Sequence, residues 1–315
     1  MDQSKKISEG AMLAGIYIIL MILSLFIPML LMVAIFVLPV PFIMYVAKHN
    51  WQSGLIMLVV TMLISFFIQP AIAIPLTAIA GISGIMVGEA IRGRLSPYET
   101  WARGTIGFVI GFVLMLLYSQ FVFQVNIIAE FETMMRESVQ FSSEIMEQVG
   151  INTGTEENLE LIDRSITQMM TLVPVGIAIS AMFSAFLSQW ISYRIISRIE
   201  RKHLRFPPFR KLQFPLALIW IYFLGIIITL FMEDPNTNFN MVINNVMTFT
   251  GLLLVLQGLS FLFYYAHYKQ KSNVLPIVVV VLTVIFPVLL LYFVRILGII
   301  DLGFNLRKRL SNEDK

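Results

Sequence analysis

Residues 71–103 read AIAIPLTAIAGISGIMVGEAIRGRLSPYETWAR. Within them Ala73, Thr77, Gly81, Gly84 and Gly88 place small side chains at helical spacing. Small residues let neighbouring helices approach closely where lipid is the solvent. Glu89 stands where the apolar run ends, and Arg92, Arg94 and Arg103 mark the cytoplasmic side. The stretch reads as the packing axis of an all-α, polytopic integral membrane helix bundle.

The whole chain agrees with that axis. Of its 315 residues, 58% are hydrophobic and 13% charged, against about 25% charged in soluble domains. Such a surface belongs in lipid. The net charge of +3 is too small to imply nucleic-acid binding. Cysteine is absent, so disulfides, thiolate metal sites and cysteine nucleophiles are excluded. Lys5 and Lys6 precede an apolar run that no small-residue cleavage site closes, so the N-terminus is expected to be retained as a helix.

Outward from the axis, about 20 apolar residues make one crossing. Residues 11–47 are too long for one, and Pro28, Pro39 and Pro41 divide them into two helices with a turn near Ile27–Pro28. Further spans are expected at 55–69, 71–91, 105–125, 172–196, 215–232, 241–267 and 275–297, the last kinked at Pro287. Gly104, Gly107 and Gly111 share one face of the 105–125 span. The total is about eight or nine transmembrane helices.

Residues 126–171 are different. Apolar residues recur at helical spacing among Glu130, Glu132, Glu137, Glu144 and Glu147, and a turn falls at 150–155. This predicts an extracytoplasmic helical hairpin. Residues 198–213 are a basic cytoplasmic loop within the wider run Arg194, Arg198, Arg201, Lys202, Arg205, Arg210 and Lys211, where Pro207 and Pro208 forbid a continuous helix. Anionic lipid headgroups are one expectation for that loop and simple topology signalling is the other. The expected divisions are a six-helix membrane half at 1–197, the loop, and C-terminal membrane helices with a basic tail at 214–315. With the N-terminus cytoplasmic, the basic loops fall inside, and the hairpin and Glu233–Asp234 fall outside. Only Arg307-Lys-Arg309 breaks the pattern. Either the tail sits outside, or the segment around Pro287 is a re-entrant hairpin that returns it.

Catalytic and metal motifs are absent from the sequence. His49, His203 and His267 stand far apart beside basic residues, and no GxxxxGK[ST], GxSxG or HExxH occurs. The expectation is a non-enzyme without cofactor or metal. Intramembrane polar residues are the better lead, since burying them in lipid is costly. Gln69, Gln120, Gln124 and Asn245, with Asn244 beside it, fall toward the outer half, and Gln257 lies deeper. They could line an outward, amide-rich ligand pocket, or be headgroup-level residues and helix–helix contacts. Glu89 and Arg92, three apart, are expected to form an ion pair. Asp301 has Arg307 or Arg295 as candidate partners.

Three C-terminal stretches carry a resemblance: FPPFRKLQFPLALIW at 206–220, LQGLSFLFYY within 244–265, and GIIDLGFNLRKR at 298–309. By these the chain resembles the YybS family of bacterial membrane proteins, a domain of unknown function. On the first span, Ala11-Met-Leu-Ala-Gly15 puts small residues four apart. There the N-terminal half loosely resembles the substrate-binding S component of energy-coupling-factor transporters, whose AxxxA motif docks a coupling membrane subunit. That resemblance implies Ala11 and Gly15 as partner contacts, ATPases as distant partners, and a small-molecule-binding transport component of the cell membrane without its own ATPase. The alternative expectation is a non-transport scaffold or regulator acting through protein or lipid contacts.

Overall fold

The computed structural model describes residues 3–148, 156–201, 203–231 and 237–313. The turn expected at 150–155, Lys202 and the acidic pair Glu233–Asp234 lie outside the described residues. Those described form helices and their connections, with no strand among them. The chain divides into two compact units, residues 1–206 and 207–315.

The first unit contains α1 (Gln3–Phe26), α2 (Pro28–Val37), α3 (Pro39–Lys48), α4 (Trp51–Ile68), α5 (Pro70–Arg92), α6 (Pro97–Val122), α7 (Ile127–Gln148), α8 (Glu156–Thr171) and α9 (Val173–Ile199). Prolines 28, 39, 70 and 97 each open a helix, where the missing N–H would have had no partner anyway. The break between α2 and α3 is slight: Leu38 keeps a helical backbone, and Pro28–Lys48 serves as one span of 21 residues. Ser96 and Glu99 form a reciprocal capping box at the start of α6.

α5 is the axis its sequence implied. Ala73, Thr77, Gly81, Gly84 and Gly88 are all buried, against α3, α4 and α6. The glycines of α6 complete this packing: a Cβ on Gly107 would stand 2.8 Å from Ser83 Cα, and one on Gly111 2.8 Å from Ile79 Cα. α1 turns Leu13, Ala14, Tyr17, Met21 and Ser24 inward. Tyr17 donates to Thr77 Oγ1 at 2.7 Å, and Ser65 Oγ lies 2.7 Å from the same hydroxyl, so these buried polar groups satisfy one another.

Ile127–Gln148 and Glu156–Thr171 are the expected pair of helices. Arg136 bonds Glu132 at 2.8 Å within α7 and reaches Asp163 on α8. Elsewhere large apolar side chains face outward, Phe67 at 84% exposure and Phe121 at 78%, as a lipid-facing surface requires.

The second unit contains α10 (Ala217–Leu230), α11 (Asn238–Tyr268), α12 (Val274–Ile285), α13 (Pro287–Phe304) and α14 (Leu306–Glu313). Eight helical spans among the described residues are long and apolar enough to cross a membrane, six in the first unit and α11 and α13 in the second. α12, with 12 residues, reaches only about 18 Å, short of a ~30 Å hydrocarbon core.

The ninth span expected at 275–297 is not one kinked helix. The backbone breaks at Phe286 (φ −121°, ψ 63°) and Pro287 starts a new helix. Contacts between α11 and α13 rise together in number. Gly251 meets Arg295, Leu254 meets Gly298, Gln257 meets Asp301, and beyond α13 Tyr268 meets Leu310 of α14. The two helices therefore run parallel, and α12 is the short return between them. Pro287 breaks rather than bends the chain because it cannot supply the N–H of a continuing helix. The basic tail consequently lies at the same end as Lys269 and Lys271, as the re-entrant alternative required.

Candidate functional site

α11 and α13 touch through glycine. A Cβ on Gly258 would fall 2.1 Å from Val294 O, and one on Gly298 2.0 Å from Leu254 O. Only hydrogen fits at such an approach. This contact brings Gln257 to Asp301 within the bundle. Asn305, in the left-handed conformation at φ 52° and ψ 47°, then turns the chain from α13 into α14 and carries Arg307 back to Asp301. Asparagine tolerates that conformation better than most residues.

The result is a buried ionic network. Asp301 is 1% exposed and Arg307 8%. Arg307 Nε donates to Asp301 Oδ2 at 3.0 Å, and Nη2 lies 2.9 Å from the same oxygen. Gln257 Nε2 also donates to Oδ2, at 2.5 Å, while Gln257 Oε1 accepts the Phe214 N–H at 3.0 Å. Arg307 donates further to Arg210 O at 2.9 Å and Ser260 Oγ at 3.1 Å. Ser260 Oγ is 2.9 Å from both Phe209 O and Leu212 O. These bonds satisfy the carbonyls of the short 3-10 turn Phe209–Lys211 and its exit beside α11.

One turn and a half up α13 stands Arg295, the ninth of the helix's 18 residues. Its Nη1 donates to Tyr222 Oη at 2.8 Å, and its guanidinium lies over Gly251, where a Cβ would come within 3.0 Å. Among the described residues Arg295 pairs with no carboxylate. Its Nε and the Asp301 Oδ1 are buried without hydrogen-bond partners there. Among the described residues the guanidiniums of Arg295 and Arg307 thus stand with one buried carboxylate, and Arg295 Nε and Asp301 Oδ1 are unused.

The amides expected to share a pocket are divided between the two units. Gln69, Gln120 and Gln124 are exposed in the first unit, at the α4–α5 turn, the last turn of α6 and the connection beyond it. In the second unit Asn245 is half-buried and donates to Met241 O at 2.8 Å, while Gln257 is fully buried with both ends of its amide engaged. Ala11 is exposed and nothing lies within 4 Å of a Cβ on Gly15, so neither makes a close contact within the chain. Glu89 and Arg92 pair through two bonds, 3.0 and 2.6 Å, at the end of α5. Sequence reasoning offered Arg307 or Arg295 as the partner of Asp301, and the structure brings Arg307 to it.

The described residues define a multi-pass, all-α membrane protein whose second unit closes around a buried ion pair. The model of the family described as "Predicted membrane protein (DUF2232)" matches residues 15–302, and the chain belongs to that family. It is similar to the uncharacterized protein YybS of Bacillus subtilis (strain 168), 26% identical over 311 residues that cover 99% of this chain and 100% of the relative. No solved structure matches. The three stretches that carried the YybS resemblance are the ones that meet at Asp301: the loop at 209–214, α11 around Gln257, and α13 with its return to Arg307.

Proposed function

We propose that this protein is a transport component that binds a small anionic molecule in its second unit and lacks an ATPase of its own. The observation behind this reading is Arg295: a guanidinium at the middle of a spanning helix, with a buried Nε unused and no carboxylate partner among the described residues. Arginine at a helix centre costs ~2.5–3.5 kcal/mol or more to insert, and intramembrane charges of this kind mark substrate and ion paths. The broken α12–α13 pair supports the same reading, since interrupted helices recur at the binding sites of transporters. In this proposal Arg295 attracts the anion, Tyr222 orients the guanidinium, and Asp301–Arg307 fixes the neighbouring loop. No bond is made or broken, so the protein is not an enzyme. The N-terminus is cytoplasmic, by the distribution of Lys and Arg. Energy would come from a coupling membrane subunit and ATPases.

A scaffold or regulator is the rival. Extraction of the full-length protein with its native lipid, followed by native mass spectrometry, separates the two. Retention of an anionic small molecule, with or without an ATPase-bearing partner, supports transport. Recovery of protein partners with no small molecule across repeated extractions overturns it.

A further inference from the structure

The arginine-rich end of the first unit is a separate feature. Helix α9 ends at Ile199, and the chain returns along it at His203–Phe206. Ser197 Oγ fastens this return, lying 3.2 Å from both the N and the O of Leu204. Phe206 anchors its end, with ring centroids 5.0 Å from Phe186 and 5.5 Å from Tyr193. Between the return and α9 is a cavity of about 960 Å³, lined by Trp190, Arg194, Arg198, Arg201, His203 and Arg205 among others. A second cavity of about 560 Å³ adjoins it across His203 and Arg205 and is lined by Arg92 and Arg94.

The arginines are more than a topological label. Arg194 is stacked 4.1 Å over the Trp190 ring, which holds a planar guanidinium in place. Among the described residues, none of Arg194, Arg198, Arg201 and Arg205 pairs with a carboxylate. Arg94 and Arg201 each follow a helix end with a positive φ, 53° and 54°. Glycine is the residue that backbone favours. Both positions carry an arginine, and both border the cavities. Guanidiniums lining an aromatic-floored cleft match phosphate, which they bind through paired N–H donors.

We propose that this cleft is a binding site for a phosphate-bearing anion, either the headgroup of an anionic lipid or a free phosphorylated solute. The site is independent of the second unit and of the function proposed for it.

The test uses the full-length protein in phosphatidylcholine nanodiscs, with two probes: phosphatidic acid in the disc, and inorganic pyrophosphate in the buffer. Binding is read by native mass spectrometry and by the shift in unfolding midpoint. The variant is Arg94→Gly/Arg201→Gly, which the backbone accepts and which unfolds no earlier than wild type without a probe. Saturable binding of at least one probe, weakened about fivefold for each arginine removed, supports the site. Phosphatidic acid alone identifies a lipid source, and pyrophosphate alone a soluble one. The proposal is overturned if neither probe binds, or if the glycine variant binds as wild type does. It is also overturned if Lys5→Gln/Lys6→Gln, which removes equal charge elsewhere, weakens binding as much.

Discussion

Replacing Asp301 with alanine should be among the most destabilising single changes in the second unit. The carboxylate is 1% exposed and its Oδ2 accepts from Arg307 and Gln257. Without it Arg307 keeps Arg210 O and Ser260 Oγ but remains a buried cation lacking its counter-ion. Breaking a buried pair on one side costs about 3–5 kcal/mol. Arg307→Met should cost a similar amount by leaving Asp301 alone. The charge-free double variant Asp301→Ala/Arg307→Met strands the Gln257 amide donor and the Arg210 carbonyl, each a loss of about 1–3 kcal/mol. The two single costs therefore sum above the double, with a coupling energy of about 3 kcal/mol. The assay is equilibrium unfolding in mixed micelles, with Trp51, Trp101 and Trp190 replaced by phenylalanine so that Trp220 reports the second unit. Single variants within about 0.5 kcal/mol of wild type, or costs that simply add, would refute the reasoning.

Other expectations follow from the same geometry. Gly298→Ala places a methyl against Leu254 O, so α11 and α13 must separate; a loss of at least about 1–3 kcal/mol is expected, read in the same unfolding assay. Cysteines introduced at Ser272 and Arg309 should react with an impermeant thiol reagent from one side of the membrane and a cysteine at Thr237 from the other, because α11 and α13 run parallel. Labelling of Ser272→Cys and Arg309→Cys from opposite sides would contradict that arrangement. Glu89→Gln should leave the unfolding midpoint unchanged, since its partner Arg92 is exposed and such surface pairs contribute little.

Much of the first unit was legible because its determinants are local. Prolines open helices wherever they fall, and the small residues of α5 and α6 announce a close packing surface whatever packs there. The hairpin α7–α8 showed its acidic amphipathic pattern. The α12–α13 break was less accessible, since a proline in a continuous apolar run can bend a helix or end it. Only the parallel contact through Gly258 and Gly298 decides between these. Hydropathy sets the amides at 69, 120 and 124 near span ends but does not tell which way a helix face turns, and all three are exposed. The Asp301 network joins residues 44 apart on two helices and depends on backbone carbonyls of the 209–212 loop. A carbonyl acceptor leaves no mark in side-chain sequence, so that part of the site emerged only from the fold.

The most direct measurement compares the small molecules extracted in native lipid with wild-type protein and with Arg295→Met. This substitution gives up one bond to Tyr222, worth about 1 kcal/mol, and removes a charge that is expensive at the centre of a span. The variant should therefore fold at least as well as wild type. An anionic small molecule present on wild-type protein and missing from the folded Arg295→Met protein is the expected result. The same molecule retained at equal occupancy by Arg295→Met would contradict a ligand site at the centre of α13.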